Sequence, residues 1–195
     1  MLRRALLSFT ATALLGASML AMAEDLSEPL ILAATPDFQD AVYGSTVLVV
    51  APLSGDRHIG FIVNRPTRYS LGELFPDDGP SRQVHDRVYF GGPIATEALF
   101  ALIERSESPG GKSLQVMPGL YAALDQATVD QVIAEQADHA RFVAGVVLWR
   151  PGELREEIDE GAWYTFEPDA DLALRKPDGL WEELVRRAKG AENST

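Results

Sequence analysis

The sequence predicts an α+β fold in a single domain. Short apolar segments with strand-like alternation are separated by Pro, Gly and Asp turns, and longer segments have the spacing of amphipathic helices. A length of 195 residues corresponds to about one domain, and 46% hydrophobic residues are enough for one core. No internal repeat or low-complexity linker divides the chain. We therefore expect residues 24–195 to form one domain.

The first 23 residues have the features of a secretory signal peptide. Arg3 and Arg4 give a positive start, residues 5–20 are small and apolar, and Ala21-Met22-Ala23 provides a cleavage site. An uncleaved membrane anchor is the alternative, since the apolar run approaches the ~18 residues that a spanning helix needs. Ser, Thr and Gly residues dilute its hydrophobicity, so the pattern favours cleavage before Glu24. The expected location is the periplasm, with no stable membrane insertion after cleavage.

The composition excludes several classes of function. The chain has 17 Lys and Arg against 29 Asp and Glu, a formal net charge of −12. Such a surface repels phosphate backbones, so no nucleic-acid binding is expected. The absence of cysteine excludes disulfides, thiolate nucleophiles and cysteine metal sites. His58, His85 and His139 lie far apart without zinc-ligand spacing, so we expect surface or turn positions for them and no metal.

The first half of the chain is predicted to be mainly strand. Pro66 lacks an N–H and restricts Arg65 to extended angles, so the strand before it ends in the turn Asn64-Arg65-Pro66. Two glycines permit a tight turn at Gly91-Gly92-Pro93. The predicted elements are strands at 30–34, 46–50 and 59–63, the last two as a hairpin, a helical turn at 69–75, a mobile loop through 76–80, and a strand at 88–90.

The second half mixes strands and helices, and one segment is ambiguous. Ala98, Leu99, Leu102 and Ile103 fall on helical spacing, yet the run from Leu99 to Ile103 could equally be a buried strand. Gly190 is expected to end the last helix. The other predicted elements are strands at 114–117, 120–123, 141–149 and 163–166, and helices at 125–137, 151–158 and 178–188.

Several of these motifs occur together in one bacterial family. They are the 30–33 strand followed by Phe38 and Ser45, the block from Gly60 to Thr67, the Gly91-Gly92-Pro93-Ile94 turn, and the segment from Gly145 to Glu157 followed by Trp163. In their order and spacing the chain resembles the AlgH/YqgE family from residue 30 to residue 188.

The resemblance implies a fold without an established activity. Family members look like single α+β domains with a bifurcated sheet and a small barrel surrounded by helices, and in that pattern residues 98–105 form a strand. The resemblance assigns no catalytic residue and no cofactor, and the label of regulator is sometimes attached to the family. Typical members lack a signal peptide. They also usually have glutamine at the position of Glu153 and a small residue at that of Leu148.

Three charged residues are candidates for a ligand site. Glu153 and Glu157 lie four apart on one helical face and could bind a cation or share a proton, although such carboxylates are usually solvated or ion-paired. Arg65 projects from a strand end. If its strand neighbours the strand at 141–149, Arg65 could form an ion pair with either glutamate, or it could bind an anion.

The Gly91-Gly92 turn is a further candidate, because its amides could bind an anion. A glycine pair before proline is more often only a tight turn. The predicted ligand site comprises Asn64, Arg65, Gly91, Gly92, Glu153 and Glu157.

Two functions from different classes remain open. A non-catalytic binding or regulatory domain of the cell envelope, with a protein or a small anionic ligand as partner, is favoured because the sequence has no nucleophile–base pair, cofactor motif or metal signature. The alternative is an enzyme that uses Arg65, Glu153 and Glu157 on a phosphorylated or carboxylated metabolite. A deep pocket beside Arg65 would favour the enzyme, and an exposed apolar patch would favour the binding domain.

Overall fold

A computed structural model describes residues 25–192 of the protein. The predicted signal peptide and the last three residues lie outside this range. The strands are β1 (Leu30–Ala34), β2 (Val47–Leu53), β3 (Arg57–Ile62), β4 (Pro66–Ser70), β5 (Arg87–Phe90), β6 (Ile94–Glu104), β7 (Ser113–Met117), β8 (Leu120–Ala123), β9 (Ala140–Trp149) and β10 (Trp163–Phe166). The helices are α1 (Leu71–Leu74), α2 (Gln126–Gln136), α3 (Glu153–Asp159), α4 (Ala170–Leu174) and α5 (Leu180–Glu192).

The strands form one curled, mainly antiparallel sheet that forks at β9. The strand order is β10-β1-β2-β3-β9-β6-β8-β7, and β4 pairs with β5 off this path. One edge of β9 pairs with β6. The other edge is shared: β3 pairs antiparallel with Val147–Trp149, and β5 pairs parallel with Val143 and Ala144. The bifurcated sheet implied by the family resemblance is therefore present.

The fork depends on glycines that let two backbones touch. Gly91 donates its N–H to the Ala144 carbonyl (2.8 Å) and accepts from the Ile62 N–H (2.9 Å). A Cβ atom on Gly91 would lie 2.3 Å from the Gly145 carbonyl oxygen, and one on Gly145 would lie 2.2 Å from the Gly92 oxygen. No larger residue fits these positions. The glycine pair is thus a backbone contact between β5 and β9, where the sequence predicted either a tight turn or amides that bind an anion; the Gly91 amide is used in the sheet.

Both faces of the sheet are buried. The concave face carries a core that includes Val49, Ile59, Phe61, Leu102 and Val146, and α4 and α5 add Leu172 and Leu184 to it. Leu154 of α3 packs on the outer face of β1–β3, and α2 packs on the face of β6 that carries Ala101 and Ile103. The result is a half-barrel with a few short helices. The expectation of a barrel surrounded by helices was therefore overstated.

The ambiguous segment is a strand, as the family resemblance implied. Leu99–Ile103 pairs with β9 on one edge, and Ala101–Glu104 pairs with β8 on the other. Phe100, Ala101, Leu102 and Ile103 are all buried. Because a strand covered on both faces needs apolar residues at successive positions, this run mimics helical spacing.

Two elements, β4 and α4, were missed, and several boundaries differ from those predicted. β4 begins at Pro66, immediately after the turn, and most of its side chains are polar or exposed, so it shows no apolar alternation. The five residues of α4 give too short a pattern to recognise. The last helix continues past Gly190 to Glu192. Within residues 25–192, no helix combines the length and hydropathy required to cross a membrane.

Candidate functional site

Asn64 and Arg65, the residues of the predicted turn, bind the segment that leads into β2. Asn64 accepts from the Val47 N–H (2.8 Å) and donates to the Ser45 carbonyl (2.9 Å). Arg65 donates from Nη2 to the Gly44 carbonyl (2.7 Å). Both side chains are half-buried. The turn therefore fixes the loop before β2, in which Ser45 has a positive φ of 60°.

The predicted ion pair between Arg65 and a glutamate does not form among the described residues. Although β3 and β9 are neighbours, they run antiparallel, with His58 opposite Trp149. Arg65 therefore follows the end of β3 that lies away from the C-terminal end of β9, which Glu153 follows. Glu153 instead accepts from Nε and the backbone N–H of Arg150, at 2.6 and 2.7 Å.

Glu157 is held by two tryptophans. Its Oε2 atom accepts from Trp149 Nε1 (2.9 Å) and from Trp163 Nε1 (2.7 Å). Both indoles are buried and the carboxylate is half-buried. Glu157 thus connects α3 to β9 and β10. The tryptophans and the glutamate of the recognised motif are joined here by hydrogen bonds, a role that their spacing in the sequence did not reveal.

The predicted site residues consequently form two separate groups. Arg65 and Gly91 lie close together, since the Arg65 carbonyl accepts from the Phe90 N–H (2.8 Å), whereas Glu153 and Glu157 lie beyond the C-terminal end of β9. Gly91 uses both its N–H and its carbonyl in the sheet, and Arg65, Glu153 and Glu157 each have separate partners. Within the described part of the chain, no group of three His, Asp or Glu side chains is placed to hold a metal ion. The structure supplies no geometry for a reaction that uses these residues together.

Two charged or titratable side chains are buried where the sequence did not indicate it. His58 was expected at the surface, but only 2% of it is exposed and its Nε2 lies 2.8 Å from the Leu26 carbonyl. Arg141 was assigned only to an apolar strand. Its guanidinium binds the carbonyls of Val63, Ala173, Leu174 and Arg175 and stacks on Tyr89 at 4.2 Å. Burial lowers the pKa of Arg141.

A cavity of about 430 Å³ lies between α2, β6 and the segment after α1. We call it the helix cavity and define it by Phe75, Asp78, Ala98, Asp125, Val129 and Asp130. It forms because β6 extends beyond β8: Ala101 pairs with Ala123, and the chain then leaves the sheet to begin α2. Residues 97–99 of β6 are therefore left facing the first turns of α2.

The wall of the helix cavity is partly apolar. Ala98, Leu99, Leu124, Val129 and Ile133 contribute to it, together with Phe75, whose side chain is 44% exposed. Phe75 directly precedes the loop that the sequence predicted to be mobile. The volume is in the range typical of small-ligand pockets.

All the charged residues that line the helix cavity are acidic, namely Asp78, Glu97, Asp125 and Asp130. Asp125 caps α2 and accepts from the N–H and hydroxyl of Thr128, which holds the pKa of its carboxyl below the ordinary value of 3.8. Hydrogen bonds from Ser81 lower the pKa of Asp78 in the same way. At least these two carboxylates are therefore ionised well below neutral pH. The sequence identified Asp125 as a helix start but gave no sign that it approaches residues 75–81.

Comparisons with known proteins agree on one family. The AlgH-like family model matches residues 31–193. A UPF0301 protein of Thermobifida fusca is 33% identical over 170 residues, which cover 82% of this chain and 86% of that protein. A UPF0301 protein of Streptomyces coelicolor is 28% identical over 168 residues, with the same coverage of 82% and 86%.

Two solved structures have the same fold. The solution structure of the AlgH protein from Pseudomonas aeruginosa matches with a TM-score of 0.68 and 24% identity, covering 85% of this chain and 89% of that one. A crystal structure from Corynebacterium diphtheriae matches with a TM-score of 0.63 and 18% identity, covering 83% and 86%. Together with the family match across nearly the whole described chain, these similarities show that the protein belongs to the AlgH-like, UPF0301 family.

Proposed function

We propose that this protein is a non-catalytic binding domain whose ligand occupies the helix cavity, and that it is exported and acts in the cell envelope. The ligand proposed is a small organic cation with an apolar body. The observation that carries the proposal is the composition of the cavity, which combines a partly apolar wall with charged residues of one sign.

The apolar wall favours a ligand with hydrocarbon surface. Val129 and Ile133 lie on the buried face of α2, and Ala98 and Leu99 are half-buried on β6. Covering such a wall removes apolar area from water, which contributes about 25 cal/mol for each Å² buried. A fully hydrated ion would gain nothing from it.

The carboxylates favour a positive charge on that ligand. The N-terminus of α2 lies at the same cavity and contributes roughly half a positive charge, which the Asp125 carboxylate offsets. Asp78, Glu97 and Asp130 remain as negative groups at the cavity. The charge of the proposed ligand is thus opposite to that of the ligand predicted from Arg65.

The enzyme alternative gains no support from the geometry. Arg65, Glu153 and Glu157 bind a backbone carbonyl, Arg150 and two indoles respectively. Export is supported by the positive, apolar and small-residue regions of the first 23 residues. A regulatory role of the kind sometimes attached to the family would then be exerted through ligand binding outside the cytoplasm.

The proposal can be tested by calorimetric titration with three probes that share a phenyl body. Phenethylamine is the cation, 2-phenylethanol the neutral counterpart and 3-phenylpropionate the anion. We expect saturable binding of the amine, at least about tenfold weaker binding of the alcohol, and none of the anion. Since hydrogen bonds from Ser81 lower the pKa of Asp78, its carboxylate stays ionised and amine binding should persist as the pH falls from 7 to about 5.

Matched variants locate the site. Asp130→Asn with Glu97→Gln should abolish discrimination between amine and alcohol, and Leu99→Trp, on the face of β6 that packs against α2, should block both ligands. Asp159→Asn with Glu160→Gln removes the same charge from exposed positions at the C-terminal end of α3 and should change neither the discrimination nor the binding. If the amine binds equally well to the cavity and α3 variants, or if no probe binds at all, the proposal is wrong.

A further inference from the structure

A second cavity, of about 520 Å³, opens at one end of the half-barrel. We call it the mouth cavity and define it by Leu53, Arg57, Ile94, Leu148, Arg150 and Glu153. Leu148 is 44% exposed and Ile94 is 42% exposed. Both line this cavity together with Leu53.

The strand register shows that this apolar patch continues the concave core. In antiparallel pairs, directly opposed residues share one face of the sheet. Leu148 lies opposite Ile59, and Ile94 lies opposite Val146; both partners belong to the concave core. Leu53 lies opposite Arg57, two residues along the strand from Ile59. The apolar interior face of the half-barrel is therefore exposed to solvent at the mouth cavity.

Of the arginines that line the mouth cavity, Arg150 has a carboxylate partner and Arg57 does not, among the residues that the structure describes. Arg150 is paired with Glu153, and its side chain is 85% exposed. Arg57 donates from Nε to the Ser54 carbonyl (3.1 Å) and from Nη2 to the Ser54 hydroxyl (3.4 Å), and within residues 25–192 no carboxylate lies within ion-pair distance of it. A guanidinium presents five donors and binds carboxylates in a fixed geometry, so Arg57 has donors available. The mouth cavity thus combines an apolar floor with one uncompensated cation.

We propose that the mouth cavity binds a single-chain carboxylate amphipath, whose alkyl chain lies against Leu53, Ile94 and Leu148 and whose carboxylate pairs with Arg57. The open ends of β-barrels are common ligand sites, for the reason seen here: an apolar interior meets solvent. The available positive charge matches a monoanion. This site is separate from the helix cavity, which has carboxylates at its edge, and the two proposals can fail independently.

Decanoate, held well below its micelle-forming concentration, is the probe for this site. Calorimetric titration of the purified protein should show one saturable site for decanoate. Decyltrimethylammonium, with the same chain and opposite charge, should bind at least about tenfold more weakly, and raising the salt concentration should reduce only the decanoate affinity. Asp130→Asn, which alters the helix cavity, should leave decanoate binding unchanged.

Two pairs of variants separate the headgroup from the chain. Arg57→Gln should weaken decanoate binding about tenfold, whereas Arg186→Gln, an exposed arginine on α5, should not. Leu148→Thr with Ile94→Thr should abolish binding, whereas Leu74→Thr, at a leucine that is 43% exposed on α1, should not.

Two results would overturn the inference. Equal binding of decanoate and decyltrimethylammonium would show an apolar surface that does not recognise the headgroup. A dimer by light scattering that Leu148→Thr converts to monomer would show that this face is covered by a second copy of the chain. Melting temperatures of the variants, expected within a few degrees of the parent because every substituted position is exposed, exclude unfolding as the cause of lost binding.

Discussion

Arg141 and Glu157 show how single charged side chains are accommodated inside this domain without an ion pair. Burying a charge is unfavourable unless hydrogen bonds replace its hydration. Arg141 has four backbone carbonyls, three of them at the C-terminal end of α4, where a cation is electrostatically favoured. Glu157 has two indole N–H groups on one oxygen. Each residue fastens elements that are distant in sequence.

Substitution of Glu157 tests whether the stability of the domain depends on its acceptor oxygen or on its negative charge. Glu157→Ala leaves two buried indole N–H groups without an acceptor, so the free energy of unfolding should fall by about 2–4 kcal/mol. Glu157→Gln retains an acceptor oxygen at the same place and should lose about 1 kcal/mol or less. Urea denaturation followed by tryptophan fluorescence measures both losses, with Asp159→Ala, at an exposed position on the same helix, as control. Equal losses for Gln and Ala would mean that the charge itself is required.

At the scale of elements, strands with apolar runs could be predicted from the sequence and their mutual directions could not. β1, β5, β8 and β10 were located to within about a residue because turn residues bound short apolar runs. β4 has no such run. The expected contact between Arg65 and Glu153 required β3 and β9 to place their C-terminal ends together, and only the antiparallel register excludes it. Local pattern does not contain that information.

The fork in the sheet gives a prediction about one glycine. Gly145 and Gly161 have the same φ of +79°, but a Cβ on Gly145 would lie 2.2 Å from the Gly92 oxygen, whereas nothing lies within 4 Å of one on Gly161. Gly161→Ala should therefore lower the free energy of unfolding by only the left-handed penalty of about 1–2 kcal/mol. Gly145→Ala adds a backbone clash to this penalty. Its free energy of unfolding should fall by at least a further ~2 kcal/mol, or the variant should fail to fold.

The comparison of these two variants by chemical denaturation removes the conformational penalty, which is common to both. A similar stability for Gly145→Ala and Gly161→Ala would show that β5 and β9 can separate without loss, and that the fork is not a fixed feature of the fold.

At the scale of the whole molecule, the fold class and the family were within reach of the sequence, and the candidate cavities were not. The helix cavity joins residues 75–81, 97–99 and 124–133, and the mouth cavity joins residues from four separate segments between 53 and 153. Each segment taken alone looks ordinary: a helix cap, an exposed leucine, an arginine in a hairpin. Only the curled sheet brings them together. The charge pattern along the chain therefore did not reveal either cavity, and it pointed to Arg65 instead.

The proposed export determines where any of these ligands would be met, and it makes a prediction about the whole chain. If the first 23 residues are a signal peptide, the protein recovered from an osmotic-shock fraction should begin at Glu24, since Ala21 and Ala23 suit a signal peptidase. Replacing Ala23 with a bulky residue such as Phe should block cleavage and leave a longer form at the membrane. A control substitution at Ser27, beyond the cleavage site, should not. Full-length protein with Met1 in the cytoplasm of the parent strain would contradict export, and the ligands of both cavities would then have to be sought among cytoplasmic metabolites.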